Sequence, residues 1–203
     1  MTHAAYSHLL NILGRPEEAL EQIDIALKLD PMNPFIITFY GVDLYMARKY
    51  DESVRAFTDA LKITPGYPFA LTNLWQAQQA VGRTEEAYAT LKSFWSMIDP
   101  QAVKSLEQGY SKNGFSGALI SLAERLVELW TNNPNQFFAP TDVAMLYSVS
   151  QETDKSIYWL EQAYNFRDPN LPYLLFPTFD NIRNDYRFKD LYQRMNLPCK
   201  SNL

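Results

Sequence analysis

Gly41-Val42-Asp43-Leu44-Tyr45-Met46-Ala47-Arg48-Lys49-Tyr50-Asp51-Glu52-Ser53, followed by Ala60-Leu61-Lys62-Ile63-Thr64-Pro65, decides the fold. Ile37, Tyr40, Gly41, Leu44 and Tyr45 fall at i, i+3, i+4, i+7 and i+8, the spacing of one helix face. Val54, Phe57, Ala60 and Leu61, at i, i+3, i+6 and i+7, fall on one side of a second helix, with Arg48-Lys49-Tyr50 as the connection. Pro65 sits where that helix ends, because proline cannot continue an interior helical turn. Gly41 and Ala60 are small enough to let two helix backbones approach, with Tyr40 and Phe57 filling the space beside them. The stretch reads as a helical hairpin.

The same hairpin recurs outward in both directions. Gly14-Arg15, Arg48-Lys49 and Gly82-Arg83 are 34 residues apart. Each precedes an acidic segment: Pro16-Glu17-Glu18-Ala19, Tyr50-Asp51-Glu52-Ser53 and Thr84-Glu85-Glu86-Ala87. Ala26-Leu27-Lys28-Leu29-Asp30-Pro31 repeats as Ala60 to Pro65, and a third copy near Phe94 to Pro100 runs one residue late. Beyond Pro100 the register loosens. Val103, Leu106 and Tyr110, an Asn113-Gly114 turn, and Ala118, Leu119, Leu122, Leu126 and Leu129 predict a fourth pair, 32 residues on from Gly82. Asn132-Asn133-Pro134-Asn135 breaks the chain. Val143, Ala144, Leu146 and Tyr147, then Ile157, Leu160, Ala163 and Tyr164, predict a fifth pair, with Thr141 as its cap. Asp168-Pro169 ends the array, the proline-bounded Leu171 to Leu175 segment is too interrupted for a long helix, and a helix over about Phe188 to Met195 closes the open end.

Composition excludes several function classes. The chain has 203 residues, 47% hydrophobic and 20% charged, which suits a folded protein rather than a disordered one. Its net charge of −5 lacks the concentrated basic field that phosphate binding needs, so no nucleic-acid partner is expected. A single cysteine, Cys199, precludes an intramolecular disulfide or a thiolate zinc cluster. No apolar run predicts a membrane span or a signal peptide.

A 34-residue helix–turn–helix unit with small residues at positions eight, twenty and twenty-seven and proline near thirty-two resembles the tetratricopeptide repeat. Gly41, Ser53, Ala60 and Pro65 match in the second unit, and Ser7, Ala19, Ala26 and Pro31 in the first. The third departs, with Trp75 and Phe94 replacing the small residues. The resemblance implies an all-α, right-handed α-α superhelix of about five helix pairs with a C-terminal capping segment. Repeats would span residues 1–168 in units of about 1–33, 34–67, 68–100, 101–135 and 136–168; residues 169–203 would form the loop and cap. The ending itself resembles that of bacterial multidomain regulators: Trp159 to Tyr164, Arg167-Asp168-Pro169, Phe179, Ile182-Arg183, Asp185, Arg187-Phe188 and Met195-Asn196-Leu197-Pro198. There the repeats follow a winged-helix, class III cyclase or protein kinase domain. Because the first repeat's register starts before Met1, the chain is expected to be a fragment of such a protein.

Chemistry-bearing constellations are sparse. His3 and His8 are five apart, off the i, i+4 spacing of a zincin pair. Cys199 lies in a polar tail away from both histidines. Gly114 and Gly117 lack the Lys-Ser/Thr of a phosphate loop. Glu17-Glu18 and Glu85-Glu86 occupy first helical turns, where carboxylates complement the helix dipole. Tyr6, Tyr40, Phe57, Trp95, Tyr147 and Trp159 fall at or beside core positions. No catalytic residue, metal or cofactor is expected. An enzymatic alternative would use Asp180, Arg183, Asp185 and Arg187 on a small molecule.

The resemblance implies that the first helix of each pair lines an inner groove. Its positions map onto His8 and Asn11; Thr38, Phe39, Val42, Tyr45 and Met46; Thr72, Asn73, Gln76 and Gln79; and Tyr110, with Phe35 and Phe69 as further aromatic candidates. An uncharged, amide-rich, aromatic face suits an extended peptide or a partner helix. The lysine, arginine and asparagine set of a carboxylate clamp is missing, since Thr38, Val42, Thr72 and Gln76 stand at its places beside Asn73. The expected function is a protein-interaction module, regulatory or sensory, in a bacterial signalling protein. The alternative is self-assembly, as a homodimer docked through the open first repeat. The cytoplasm is the expected location, or the periplasm if the full-length protein carries an upstream membrane span.

Overall fold

A computed structural model describes residues 1–132 and 139–197. The Asn133-Pro134-Asn135 break and Cys199 lie outside the described residues. Ten α-helical segments, one of them interrupted, and two short 3-10 turns make up the described regular structure, with no strand among the described residues. The chain divides into two compact units, Met1–Phe94 and Trp95–Leu203.

In the first unit, α1 (Thr2–Ile12) packs on α2 (Pro16–Leu29), and α3 (Pro34–Met46) packs on α4 (Tyr50–Ile63). α5 (Pro68–Ala80) packs on α4, and α6 (Thr84–Ser96) follows it. α2 also packs on α3, and the odd helices touch directly, α1 on α3 and α3 on α5. The odd helices therefore form one layer. Proline opens α2, α3 and α5, where its missing N–H has no helical partner to lose.

The turns repeat as closely as the sequence markers do. Gly14, Arg48 and Gly82 all adopt left-handed φ, +69°, +65° and +78°. After each, a backbone N–H reaches back five residues: Arg15 to the Leu10 carbonyl, Lys49 to Leu44 and Arg83 to Gln78, at 2.9, 2.9 and 2.8 Å. This is the Schellman closure of a helix end. Gly41 is required by contact rather than by φ. A Cβ there would lie 2.5 Å from the buried Phe57 ring. Ser53 fixes the same helix pair by donating its hydroxyl to the Gly41 carbonyl, 2.7 Å away.

In the second unit, α7 (Pro100–Asn132) is interrupted at Asn113 and Gly114, so the predicted fourth hairpin is two helices joined there. A Cβ on Gly109 would lie 2.2 Å from the Gly117 carbonyl oxygen, which makes glycine necessary where the two backbones cross. Arg125 pairs with Asp99 at 3.0 Å, both side chains largely shielded. α8 (Pro140–Val149) and α9 (Thr153–Phe166) repeat the earlier geometry: Ser156 donates to the Ala144 carbonyl at 2.8 Å, as Ser53 does to Gly41. Gln151 repeats the left-handed turn at φ +66°.

Some details differ from the sequence expectation. Thr141 does not cap α8 with its side chain. Its backbone N–H donates to Asp168, 2.8 Å away, so a carboxylate distant in sequence supplies the cap. Pro100 opens α7 instead of closing the preceding helix. The tail forms 3-10 turns at Leu171–Tyr173 and Pro177–Phe179, then α10 (Tyr186–Arg194), begun two residues early because Asp185 accepts from the Arg187 N–H. Leu174, Phe179, Ile182 and Phe188 are buried, and Ser148 on α8 donates to the Thr178 carbonyl at 2.7 Å. The last helix pair is thus covered by its own chain.

Candidate functional site

The odd-helix layer of the first unit is an aromatic network. Phe39 of α3 is met edge-on by His8 of α1 at 4.8 Å, by Phe35 at 4.6 Å and by Phe69 of α5 at 5.2 Å. Phe35 and Phe69 are 6.0 Å apart, and Tyr67 extends the row at 6.3 Å from Phe69. Edge-to-face rings at these separations attract through their quadrupoles beyond simple area burial. Phe39 is buried as the hub, whereas His8, Phe35, Phe69 and Tyr67 are partly exposed.

The inner positions read from the sequence separate by depth. Asn11, Thr38, Phe39, Val42, Tyr45, Met46 and Gln76 are buried. Thr72, Asn73 and Gln79 on α5 keep part of their surface, and so does Tyr110, which lies in the second unit. Thr38 turns its hydroxyl onto the Pro34 carbonyl at 2.7 Å. Tyr45 rests against Tyr50 at 5.4 Å between ring centres. The accessible part of the layer is therefore the α5 face together with the rims of His8, Phe35 and Tyr67.

On α5 the polar side chains fold back on their own helix. Thr72 donates to the Pro68 and Phe69 carbonyls, both at 3.1 Å, and Asn73 Nδ2 donates to Phe69 at 2.8 Å. Gln76 Nε2 donates to the Thr72 carbonyl at 3.0 Å, which leaves its Oε1 buried without a hydrogen-bond partner. None of α1, α3 and α5 contains a lysine or arginine. The surface offers rings, amides and hydroxyls, and its three helices bring no lysine or arginine to it.

Asp43 escaped the sequence reading. It is fully buried on α3 and accepts from Asn11 Nδ2 of α1, with the Ser7 hydroxyl also within hydrogen-bonding reach. Burial pushes its carboxyl up to about 7, against the downward pull of those two hydrogen bonds. The one available signal was a single acid in an otherwise apolar helix. Burial likewise lowers His8, favouring its neutral ring.

The tail residues of the enzymatic alternative are tied into ion pairs. Arg183 holds Asp180 at 2.7 Å and also donates to the Leu175 carbonyl. Arg187 holds Asp185 at 2.7 Å and Asp154 at 2.8 Å, and Asp185 is further occupied in capping α10. Among the described residues no group of three or more His, Cys, Asp or Glu could hold a metal, and no helix is long and apolar enough to cross a membrane.

No protein-family model matches the chain, and no curated protein matches it. Among solved structures, a tetratricopeptide repeat protein from Parabacteroides merdae ATCC 43184 aligns with a TM-score of 0.50 and 14% identity. The alignment covers 99% of this chain and 80% of that one. At that identity the likeness speaks for the fold alone: all-α, built of helix pairs, of the tetratricopeptide α-α solenoid kind.

Proposed function

We propose that this chain is a protein-interaction module that holds a peptide or a partner helix against the odd-helix layer of its first unit. The observation that carries this is the partly exposed row of Phe35, Phe69 and Tyr67 beside the amides of Asn73 and Gln79, on helices that carry no lysine or arginine. Rings supply contact area at little entropic cost, and amides pair with a bound backbone. The module serves as the regulatory or sensory C-terminal part of a larger bacterial signalling or transcriptional regulator, in the cytoplasm, and acts by binding rather than by catalysis. The resemblance of the tail to such regulators supports that context.

Buried members of the row are poor probes, since Phe39→Ala or Tyr45→Ala would open core cavities costing about 3–5 kcal/mol. Surface members are better. Asn73→Ala and Gln79→Ala, with Phe35→Leu, are expected to weaken a selected peptide at least tenfold in fluorescence anisotropy while circular dichroism stays unchanged. Unchanged affinity in all three variants would remove the proposal.

Self-association is the second reading, favoured by the exposure of Tyr6 (45%) and Leu9 (48%) on α1. Their register equivalents one repeat on, Tyr40 and Asp43, are half-buried and buried. Sedimentation equilibrium of the wild type and of Leu9→Glu decides it: a dimer that the substitution dissociates supports this reading, and a monomer at all concentrations rejects it.

A further inference from the structure

We propose that the α5 face recognises a cationic side chain, arginine above all, on the bound peptide; this rests on the peptide-binding reading above. Phe69, Thr72, Asn73 and Gln76 follow one another at i, i+3, i+4 and i+7, so they share one face of α5. What that face presents is one-sided. The Thr72 hydroxyl donates to the helix's own carbonyls and accepts from Asn73 Nδ2, and Asn73 Nδ2 also donates to the Phe69 carbonyl, so the donors of this face are committed and Asn73 turns its amide oxygen the other way. Gln76 is more pointed still. Its side chain is 6% exposed, its nitrogen is committed to the Thr72 carbonyl, and its Oε1 has no partner. That commitment also fixes which end of the amide is the oxygen. A buried acceptor left unmade costs the free protein, and a ligand that brings a donor recovers that cost.

Charge selects among donors. The three helices of the layer carry no lysine or arginine, so an acidic peptide finds no counter-ion on them. A cation meets no like charge on these helices, and the partly exposed Phe35 and Phe69 rings, 6.0 Å apart, supply the aromatic surface that a cation favours. Guanidinium fits better than ammonium. It has five donors in a plane, a weakly hydrated surface that stacks on rings, and no need to be an acceptor. From Phe69 to Gln76 is two helical turns, roughly 10 Å at about 1.5 Å per residue. An arginine stem crossing Phe69 spans that distance in part, with Asn73 between, and brings its head toward Gln76.

The test selects random ten-residue peptides on the full chain, with the Phe69→Leu and Gln76→Leu variants for counter-selection and circular dichroism to verify folding. The selected peptides are expected to carry arginine, and replacing it by citrulline, its neutral isostere, should weaken binding at least tenfold. Asn73→Asp should tighten the arginine peptides several-fold, a gain that misfolding cannot produce. Glu85→Gln with Glu86→Gln, on α6, should change nothing. Peptides that depend on α5 but lack arginine and lysine, or that tolerate citrulline, overturn the cation proposal and leave the peptide-binding reading standing. Arginine peptides indifferent to Phe69→Leu and Gln76→Leu also overturn it, since attraction to the net charge would then suffice. If no selected peptide depends on any layer residue, both readings fall.

Discussion

Asp43 shows what a single buried charge does to a helix layer. Its carboxyl lies among apolar side chains with Asn11 and Ser7 as polar company, and burial moves its proton affinity from the ordinary 3.8 to about 7. The folded chain therefore keeps a proton that the unfolded chain releases. Stability from this group is full below the unfolded value near 4 and is lost as pH rises through about 7. A shift of roughly 3 units corresponds to a ceiling of about 4 kcal/mol. Asp43→Asn, which keeps the shape and removes the titration, should raise stability by about 1–2 kcal/mol at pH 5 and by up to about 4 kcal/mol at pH 8. Urea unfolding of both proteins at the two pH values checks this; equal pH dependence in the two would contradict it. Residue depth of this kind is poorly legible in a sequence. The 34-residue register assigns a direction to each inner position, yet Gln76 and Gln79, one turn apart, differ in burial because depth depends on which neighbours arrive from other helices.

At the scale of the element, most of the molecule was legible, and the reason is mechanical. A helix end that turns back on its partner needs one left-handed residue, and Gly14 and Gly82 announce it. Arg48 and Gln151 perform the same turn without glycine, each at a steric cost of about 1 kcal/mol or more. Gly82 isolates that term, since a Cβ there would meet nothing within 4 Å. Gly82→Ala should therefore destabilise by about 1 kcal/mol through the backbone alone, lowering the thermal midpoint by a few degrees. Arg48→Gly should be neutral or mildly stabilising, the relief of φ offset by added freedom in the unfolded chain. Thermal unfolding of the pair measures both, and a destabilised Arg48→Gly would mean that its hydrogen bond to Tyr50 outweighs the strain. The Asn113-Gly114 turn was legible for the same reason as the others. The α8 cap was not, because Asp168 lies 27 residues from the N–H it satisfies.

At the scale of the whole molecule, the second unit shows how the end of a repeat array is closed. A repeat buries one face on its neighbour and needs something for the other. In the second unit the tail answers with Leu174, Phe179, Ile182 and Phe188, all buried although only Phe188 belongs to an α-helix. Periodicity cannot announce such a cap, because its contacts follow the end of the array and obey no repeat. Prolines and a short amphipathic helix were the visible traces. Phe179 has no exposed surface, whereas Tyr186, at the start of α10, is 79% exposed. If the tail is a packed cap, Phe179→Ala should cost about 3–5 kcal/mol, and Tyr186→Ala should stay within about 0.5 kcal/mol. Denaturant midpoints followed by circular dichroism give the comparison. Hydrophobic-dye binding adds a second readout, since a loosened cap exposes the apolar face of α8 and α9. Similar midpoints and no dye response for Phe179→Ala would mean that the tail only lies against the last helix pair, and that α8 and α9 are stable without it.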